Sequence, residues 1–203
     1  MTPTAVVFDL GKVLVDFDYR IVSNRLAARG NMSPAQIRAL IDHSPLLFQL
    51  ETGLMTNEQF YAEAVKTTGF DGSFEEFASI FGDIFSEMPE MIAFQAMLRR
   101  HGVPTYIFSN TNELAVRHIR RAFPFFENFN GYVYSYQHRA MKPNPRLYEV
   151  IEEQSGCCGP AILYLDDRAE NVAAGATRGW QTVLHRNAAE TLAIAASLGL
   201  PTK

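Results

Sequence analysis

The stretch AVVFDLGKVLVDFD, residues 5–18, decides how the rest of the chain is read. Four residues able to bury themselves (Ala5, Val6, Val7, Phe8) run straight into a carboxylate, Asp9, followed by Gly11, Lys12, Asp16 and Asp18. An apolar run of strand length with no polar alternation reads as a strand covered on both faces. Two questions follow: why a hydrophobic strand ends on a carboxylate, and why a glycine stands two residues later.

Similar runs recur along the chain as VPTYIFS (103–109), GYVYSY (131–136), AILYLD (161–166) and QTVLH (181–185). Between them lie segments of helical period. In PEMIAFQAMLRRHG (89–102), Met91, Phe94, Met97 and Leu98 share a face, Pro89 suits the first turn and Gly102 ends the helix. TNELAVRHIRRAF (111–123), NPRLYEVIEEQSG (144–156), DRAENVAAGATRG (167–179) and NAAETLAIAASLG (187–199) read the same way. Buried strands alternating with helices predict an α/β, doubly wound, Rossmann-like parallel sheet.

One region breaks the alternation. Residues 19–88 carry helix signals and no convincing strand. Ser33 with Pro34 and Gln36, Thr56 with Gln59, and Ser73 with Glu76 are three helix starts of the capping-box kind. The expected organisation is an α/β core over 1–18 and 88–203 with an inserted helical cap over 19–87. The cap lies beside the end of the first strand, with hinges near 16–20 and 86–90.

At 203 residues the chain is long enough to bury a proper core. Its 18 basic and 22 acidic residues give a net charge of −4 with no block of one sign, which argues against nucleic acid or a membrane surface as partner. The N-terminus has no basic leader and too short an apolar run to span a bilayer, and the adjacent Cys157 and Cys158 read as reduced thiols. The expectation is a cytoplasmic monomer or homodimer, with the aromatic cluster FPFFENF (123–129) in the core.

In a parallel sheet, ligands bind outside the carboxyl ends of the strands. The first strand delivers Asp9 there, with Gly11 and Lys12 just after it. YIFSNTN delivers Ser109 and Asn110, AILYLDD delivers Asp166 and Asp167, and AMKPNP places Lys142 ahead of a proline that opens a helix. Three carboxylates converging at one edge repel unless a cation sits between them. Hard oxygen donors suit Mg²⁺, whose shell a phosphate oxygen completes. Ser109 and Lys142 then supply a donor and positive charge for that phosphate, and Asp9 is placed to attack phosphorus.

This set of four motifs resembles the haloacid dehalogenase-like hydrolase superfamily, in the branch with a helical cap inserted after the first motif. The resemblance runs over about residues 4–186. It implies Asp9 as nucleophile, forming an aspartyl-phosphate that water hydrolyses. It implies Mg²⁺ held by Asp9, the Gly11 carbonyl and Asp167, with Asp166 adjacent or bridging through water. It implies Ser109, Asn110 and Lys142 as the phosphate cradle, with Gly11 and Lys12 beside it, and Asn171 as a brace of the metal loop. The substrate it implies is a small phosphorylated metabolite, and FDLGKVLVDFD is similar to the "DLG" phosphatases of α-glucose-1-phosphate type.

Most phosphatases of this superfamily carry a second aspartate where this chain has Gly11, and that side chain moves the proton of the leaving group. A positioned general acid is worth about 10²–10⁴-fold in rate. Three explanations compete. The leaving group is a good one, as in an anomeric sugar phosphate; or Asp16, Asp18 or a cap residue takes the role; or the reaction is not phosphoryl transfer. A metal-independent 2-haloacid dehalogenase and a non-catalytic phospho-ligand-binding protein are the alternatives. His43, Glu51 and Tyr61 are the cap residues weighed for contact with substrate, and a structural or solvated role is the base expectation for each.

Overall fold

The computed structural model describes residues 1–202. Strand β1 (Ala5–Phe8) is followed by a short strand β2 (Val15–Phe17) and five helices, α1 (Tyr19–Ala27), α2 (Pro34–His43), α3 (Pro45–Glu51), α4 (Asn57–Thr68) and α5 (Phe74–Gly82). Strand β3 (Phe85–Glu87) closes that excursion. Then come α6 (Pro89–Arg100), β4 (Thr105–Ser109), α7 (Glu113–Ala122), β5 (Gly131–Tyr134), the one-turn α8 (Ser135–His138) and α9 (Pro145–Ser155). The chain ends on β6 (Ile162–Asp166), α10 (Ala169–Thr177), β7 (Gln181–Leu184) and α11 (Ala188–Ser197).

Five strands make one sheet in the order β5-β4-β1-β6-β7, every pair parallel. The chain builds outward from β1 through β4 to β5, then returns to build β6 and β7 on the other side. Strand β1 is therefore the point where the winding reverses, which is where ligands bind in open α/β sheets. All four β1 residues are fully buried because both faces are covered. Val6 and Phe8 pack with Met91, Phe94 and Leu98 of α6 and Ile119 of α7. Ala5 and Val7 join Leu147, Tyr148 and Ile151 of α9 on the opposite face. The absence of polar alternation in AVVF thus follows from a sheet buried on two sides.

The inserted helices own a separate core in which Phe60, Phe70, Phe77 and Phe81 meet Val22, Leu26, Ile37 and Leu50. Ser33, Thr56 and Ser73 each cap a helix, and all three capping boxes are formed in full. Leu114 of α7 reaches into this cluster. Helix α5 comes so close to α7 that a Cβ on Gly82 would lie 2.9 Å from the Cβ of His118.

Two readings of the sequence are corrected. Phe85–Glu87 is a strand although residues 19–88 show no strand signal. It is three residues long and mostly exposed, and it exists because it pairs antiparallel with β2, Phe17 opposite Phe85. GYVYSY stops being a strand at Tyr134, since Ser135 begins α8 and its hydroxyl accepts the Thr111 N–H at 2.9 Å. The FPFFENF cluster lies in the core, with Phe125, Phe126 and Phe129 buried. Among the described residues no helix is long and apolar enough to cross a membrane, and Cys157 and Cys158 are free thiols.

The packing sets an order of losses. Phe77→Ala empties the centre of the cap and is expected to cost about 3–5 kcal/mol. Thr56→Ala removes one cap and is expected to cost about 1 kcal/mol. Urea unfolding of the two variants checks this, and a Thr56→Ala loss equal to that of Phe77→Ala would contradict it.

Candidate active site

Sheet register brings the chemistry together. Phe8 pairs with Ile107 on one side and Leu165 on the other, and the Asp9 N–H donates to the Leu165 carbonyl at 2.8 Å. One step further along, Asp9 therefore lies level with Phe108 and Asp166. Lys142 enters from the loop between α8 and α9 and fills the gap. Its Nζ lies 2.6 Å from Asp166 Oδ2, 2.8 Å from the Phe108 carbonyl and 3.0 Å from Asp9 Oδ1. The rings of Phe108 and Tyr164 flank the ammonium at 5.0 and 5.7 Å from their centroids. The side chain is 1% exposed, the reverse of what lysine does by default.

Asp166 is fully buried and its acceptor sites are taken. Lys142 Nζ and the Tyr164 hydroxyl donate to Oδ2; the Arg168 N–H (2.8 Å) and Asn171 Nδ2 (3.0 Å) donate to Oδ1. Burial pushes its carboxyl up, but the Lys142 charge and these bonds outweigh that and hold it below the usual range. Burial pulls the Lys142 ammonium down, and the two carboxylates more than offset it. Asp9 is different. Burial lifts it to about 7 against the pull of Lys142, with the Asp166 charge adding to the rise. Its Oδ1 holds both the Lys142 contact and the Leu10 N–H, at 2.7 Å, which leaves Oδ2 without a partner among the described residues. Asp167 is raised by burial and then by Asp166.

Oxygens of Asp9, Asp166 and Asp167 lie within 4.8 Å of one another. The donor set is oxygen alone, as Mg²⁺ requires. The fit is best at Asp9 and Asp167, because Asp166 spends its lone pairs on Lys142, Tyr164, Asn171 and Arg168. The Gly11 carbonyl accepts no hydrogen bond from the described residues.

The other expected site residues divide. The buried Ser109 hydroxyl makes one long contact, 3.4 Å to the Asn110 carbonyl, and stays available as a donor. Asn110 spends its side chain on Lys142: Oδ1 accepts the Lys142 N–H at 2.7 Å and Nδ2 donates to the Lys142 carbonyl at 3.1 Å. It positions the lysine, and Nδ2 keeps a second N–H beyond its bond to the Lys142 carbonyl. Lys12 is engaged locally. Its Nζ pairs with Asp16 and lies over the Phe17 ring, and its N–H donates to the Val15 carbonyl. Asn171 is buried and braces Asp166.

The glycine has a structural reason. A Cβ on Gly11 would lie 2.9 Å from Phe17 Cε1, so the ring occupies the place of a side chain there. Sequence reading missed Tyr164, although it stands two residues before Asp166 on the same strand and therefore on the same face. It also missed Arg168. In the cap, the Tyr61 hydroxyl donates to the Gly72 carbonyl at 2.6 Å and His43 is exposed. Glu51 is partly buried, and its carboxyl bonds to none of the described residues.

Comparison with known proteins gives the family. The haloacid dehalogenase-like hydrolase family model matches residues 3–179, and the chain belongs to that family: it is a hydrolase with an α/β core and an inserted helical cap. A curated D-ribitol-5-phosphate phosphatase of Bacteroides thetaiotaomicron is 24% identical over 91% of this chain and 93% of its own. Among solved structures, a HAD-like family hydrolase from Porphyromonas gingivalis superposes with a TM-score of 0.81 at 23% identity, covering 97% of this chain and 98% of that one. A HAD family enzyme from Bacteroides thetaiotaomicron, in complex with magnesium and inorganic phosphate, gives 0.80 at 20% identity over 91% and 94%.

The cluster predicts a pH-dependent stability. Asp9 holds its proton more tightly folded, at about 7, than at its ordinary 3.8. Its contribution to stability is full below the ordinary value and is lost as pH rises through 7. In metal-free protein, Asp9→Asn is expected to raise the thermal midpoint more at pH 8 than at pH 5. Equal shifts at both would contradict the assignment.

Proposed function

We propose that the protein is a Mg²⁺-dependent phosphomonoesterase of small phosphorylated metabolites, foremost sugar and polyol phosphates, acting through an aspartyl-phosphate on Asp9. The observation that carries the reading is the division of labour within the Asp9 carboxylate. Oδ1 is anchored by Lys142 and the Leu10 N–H while Oδ2 is bare, and Asp167 lies close by. A nucleophile needs one oxygen fixed and the other open.

In this reading Asp9 attacks phosphorus through Oδ2. The Lys142 ammonium, kept charged by Asp166, faces the phosphoryl oxygens together with the Ser109 hydroxyl. Asp9, Asp167 and the Gly11 carbonyl would hold Mg²⁺, which supplies charge neutralisation for the phosphoryl group. The name of the curated relative supports a polyol or sugar phosphate as substrate, and the DLG resemblance points to the same class. We place the core at 1–18 and 88–203 and the cap at 19–87, opening about the β2–β3 ribbon. Closure over the site excludes water from the reacting group.

Halide displacement at carbon needs no cation. Asp167 would then only add repulsion beside Asp166, and that reading is set aside on this ground. A pure binder has no use for a carboxylate with one oxygen anchored and one open.

The wild-type protein is expected to hydrolyse p-nitrophenyl phosphate with Mg²⁺, to lose that activity on chelation, and to fall to background as Asp9→Asn. A panel of anomeric and non-anomeric sugar phosphates then ranks the substrates. Metal-free halide release from 2-chloropropionate, with no phosphate release from any ester, would overturn the reading.

A further inference from the structure

An alkoxide leaving from phosphorus needs a proton, and the residues next to Asp9 have none to give. Phe17 fills the space beside Gly11, with its ring locked against Tyr19 and Phe85 at 5.6 and 6.3 Å between centroids. Asp16 is held ionised by Lys12 and by the Phe17 N–H. Asp18 caps α1 and pairs with Arg20, whose hydrogen bonds bring its carboxyl down to about 2. Both aspartates are carboxylates at neutral pH.

The cap supplies a different group. Glu51 is the last residue of α3, and its carbonyl accepts the Ser135 hydroxyl at 2.5 Å. That same Ser135 oxygen takes the Thr111 N–H, two residues beyond Ser109. Gly53, at a φ of +65°, approaches so closely that a Cβ would lie 2.1 Å from the Tyr136 carbonyl oxygen. A second tie is the bond from Asn57 Nδ2 to Glu113 Oε2 at 2.8 Å. Residues 51–57 are therefore tied to α8 and to the first residue of α7, and through the Ser135 hydroxyl to Thr111 of the loop after β4. The Glu51 carboxyl itself has no hydrogen bond or ion pair among the described residues. The groups whose charge reaches it are Tyr19 from α1 and Arg168, whose backbone N–H holds Asp166.

Resting on the phosphomonoesterase reading, we propose that Glu51 is the proton donor to the leaving oxygen and the base for the hydrolytic water. Burial pushes its carboxyl up to about 7, against the pull of Arg168, so both protonation states are populated near neutral pH. In the first step Asp9 Oδ2 bonds to phosphorus and the ester P–O bond breaks, its electron pair staying on the leaving oxygen. The Glu51 proton moves to that oxygen, giving the free alcohol and a Glu51 carboxylate. In the second step water attacks phosphorus and Glu51 takes its proton. The bond between phosphorus and Asp9 breaks, its pair returning to the Asp9 carboxylate. The sum is ester plus water giving alcohol plus inorganic phosphate, with both carboxyls restored.

The test compares wild type with Glu51→Gln on p-nitrophenyl phosphate and on the best alkyl phosphate from the panel, with Mg²⁺. p-Nitrophenolate leaves without a proton, so Glu51→Gln is expected to release a burst of one equivalent at near wild-type rate and then stall. On the alkyl phosphate its kcat is expected to fall by about 10²–10⁴-fold, with recovery in part by Glu51→Asp. The burst amplitude counts folded, competent sites, so a misfolded variant is not mistaken for a slow one. An unchanged kcat on the alkyl ester, a change in KM alone, or an equal loss of burst and alkyl turnover would overturn the assignment while leaving the phosphatase reading intact. A wild type that turns over no phosphate ester would overturn both.

Discussion

The ammonium of Lys142, lodged between Asp9 and Asp166, is the contact on which the site depends. Two carboxylates brought level by the register of neighbouring strands repel, and neither belongs in a sheet edge without a counter-charge. The lysine meets both and is itself held at every point. Asp166 and the Phe108 carbonyl take its head, the Asn110 side chain clasps its backbone on both sides, and Phe108 and Tyr164 flank it. Removing one member of such a buried set costs about 3–5 kcal/mol, because the remaining charge is left uncompensated. The asymmetry between the two acids follows from their bonds. Asp166 is saturated and fixed in its charge, while Asp9 keeps an open oxygen and a carboxyl poised near neutrality.

The second constraint is the ribbon formed by β2 and β3. It carries the chain from core to cap and back, and it drives Phe17 into the space beside Gly11. A side chain at residue 11 would meet the edge of that ring, which would have to move to admit it. The cap answers from the other side, with residues 51–57 tied to α8 and the start of α7. In the proposed reading the core holds the phosphorus chemistry and the cap covers the leaving group.

Much of this was legible in the residues. Asp9, Ser109 and the Asp166–Asp167 pair each end an apolar run, and a run of strand length fixes where its last residue sits in a parallel sheet. The three capping boxes were readable because each is a local device of four residues. What lay hidden depends on contacts far apart in the chain. Strand β3 has no periodic signal and is defined by its partner alone. The clasp of the Asn110 amide on the backbone of Lys142 depends on a loop 32 residues away and left no local signal. Lys12 sits beside the site in sequence but turns to Asp16. Tyr164 lay in plain view, two residues from Asp166, yet nothing local tells a hydroxyl that binds a carboxylate from a ring that fills a core.

The central claim is that Asp166 serves the lysine and leaves the metal to its neighbours. A crystal structure of the protein with Mg²⁺ and inorganic phosphate tests it most directly. The account predicts the cation bound by Asp9, Asp167 and the Gly11 carbonyl, with Lys142 still on Asp166 and facing the phosphate. A cation bound directly by Asp166, with Lys142 displaced from it, would contradict the account.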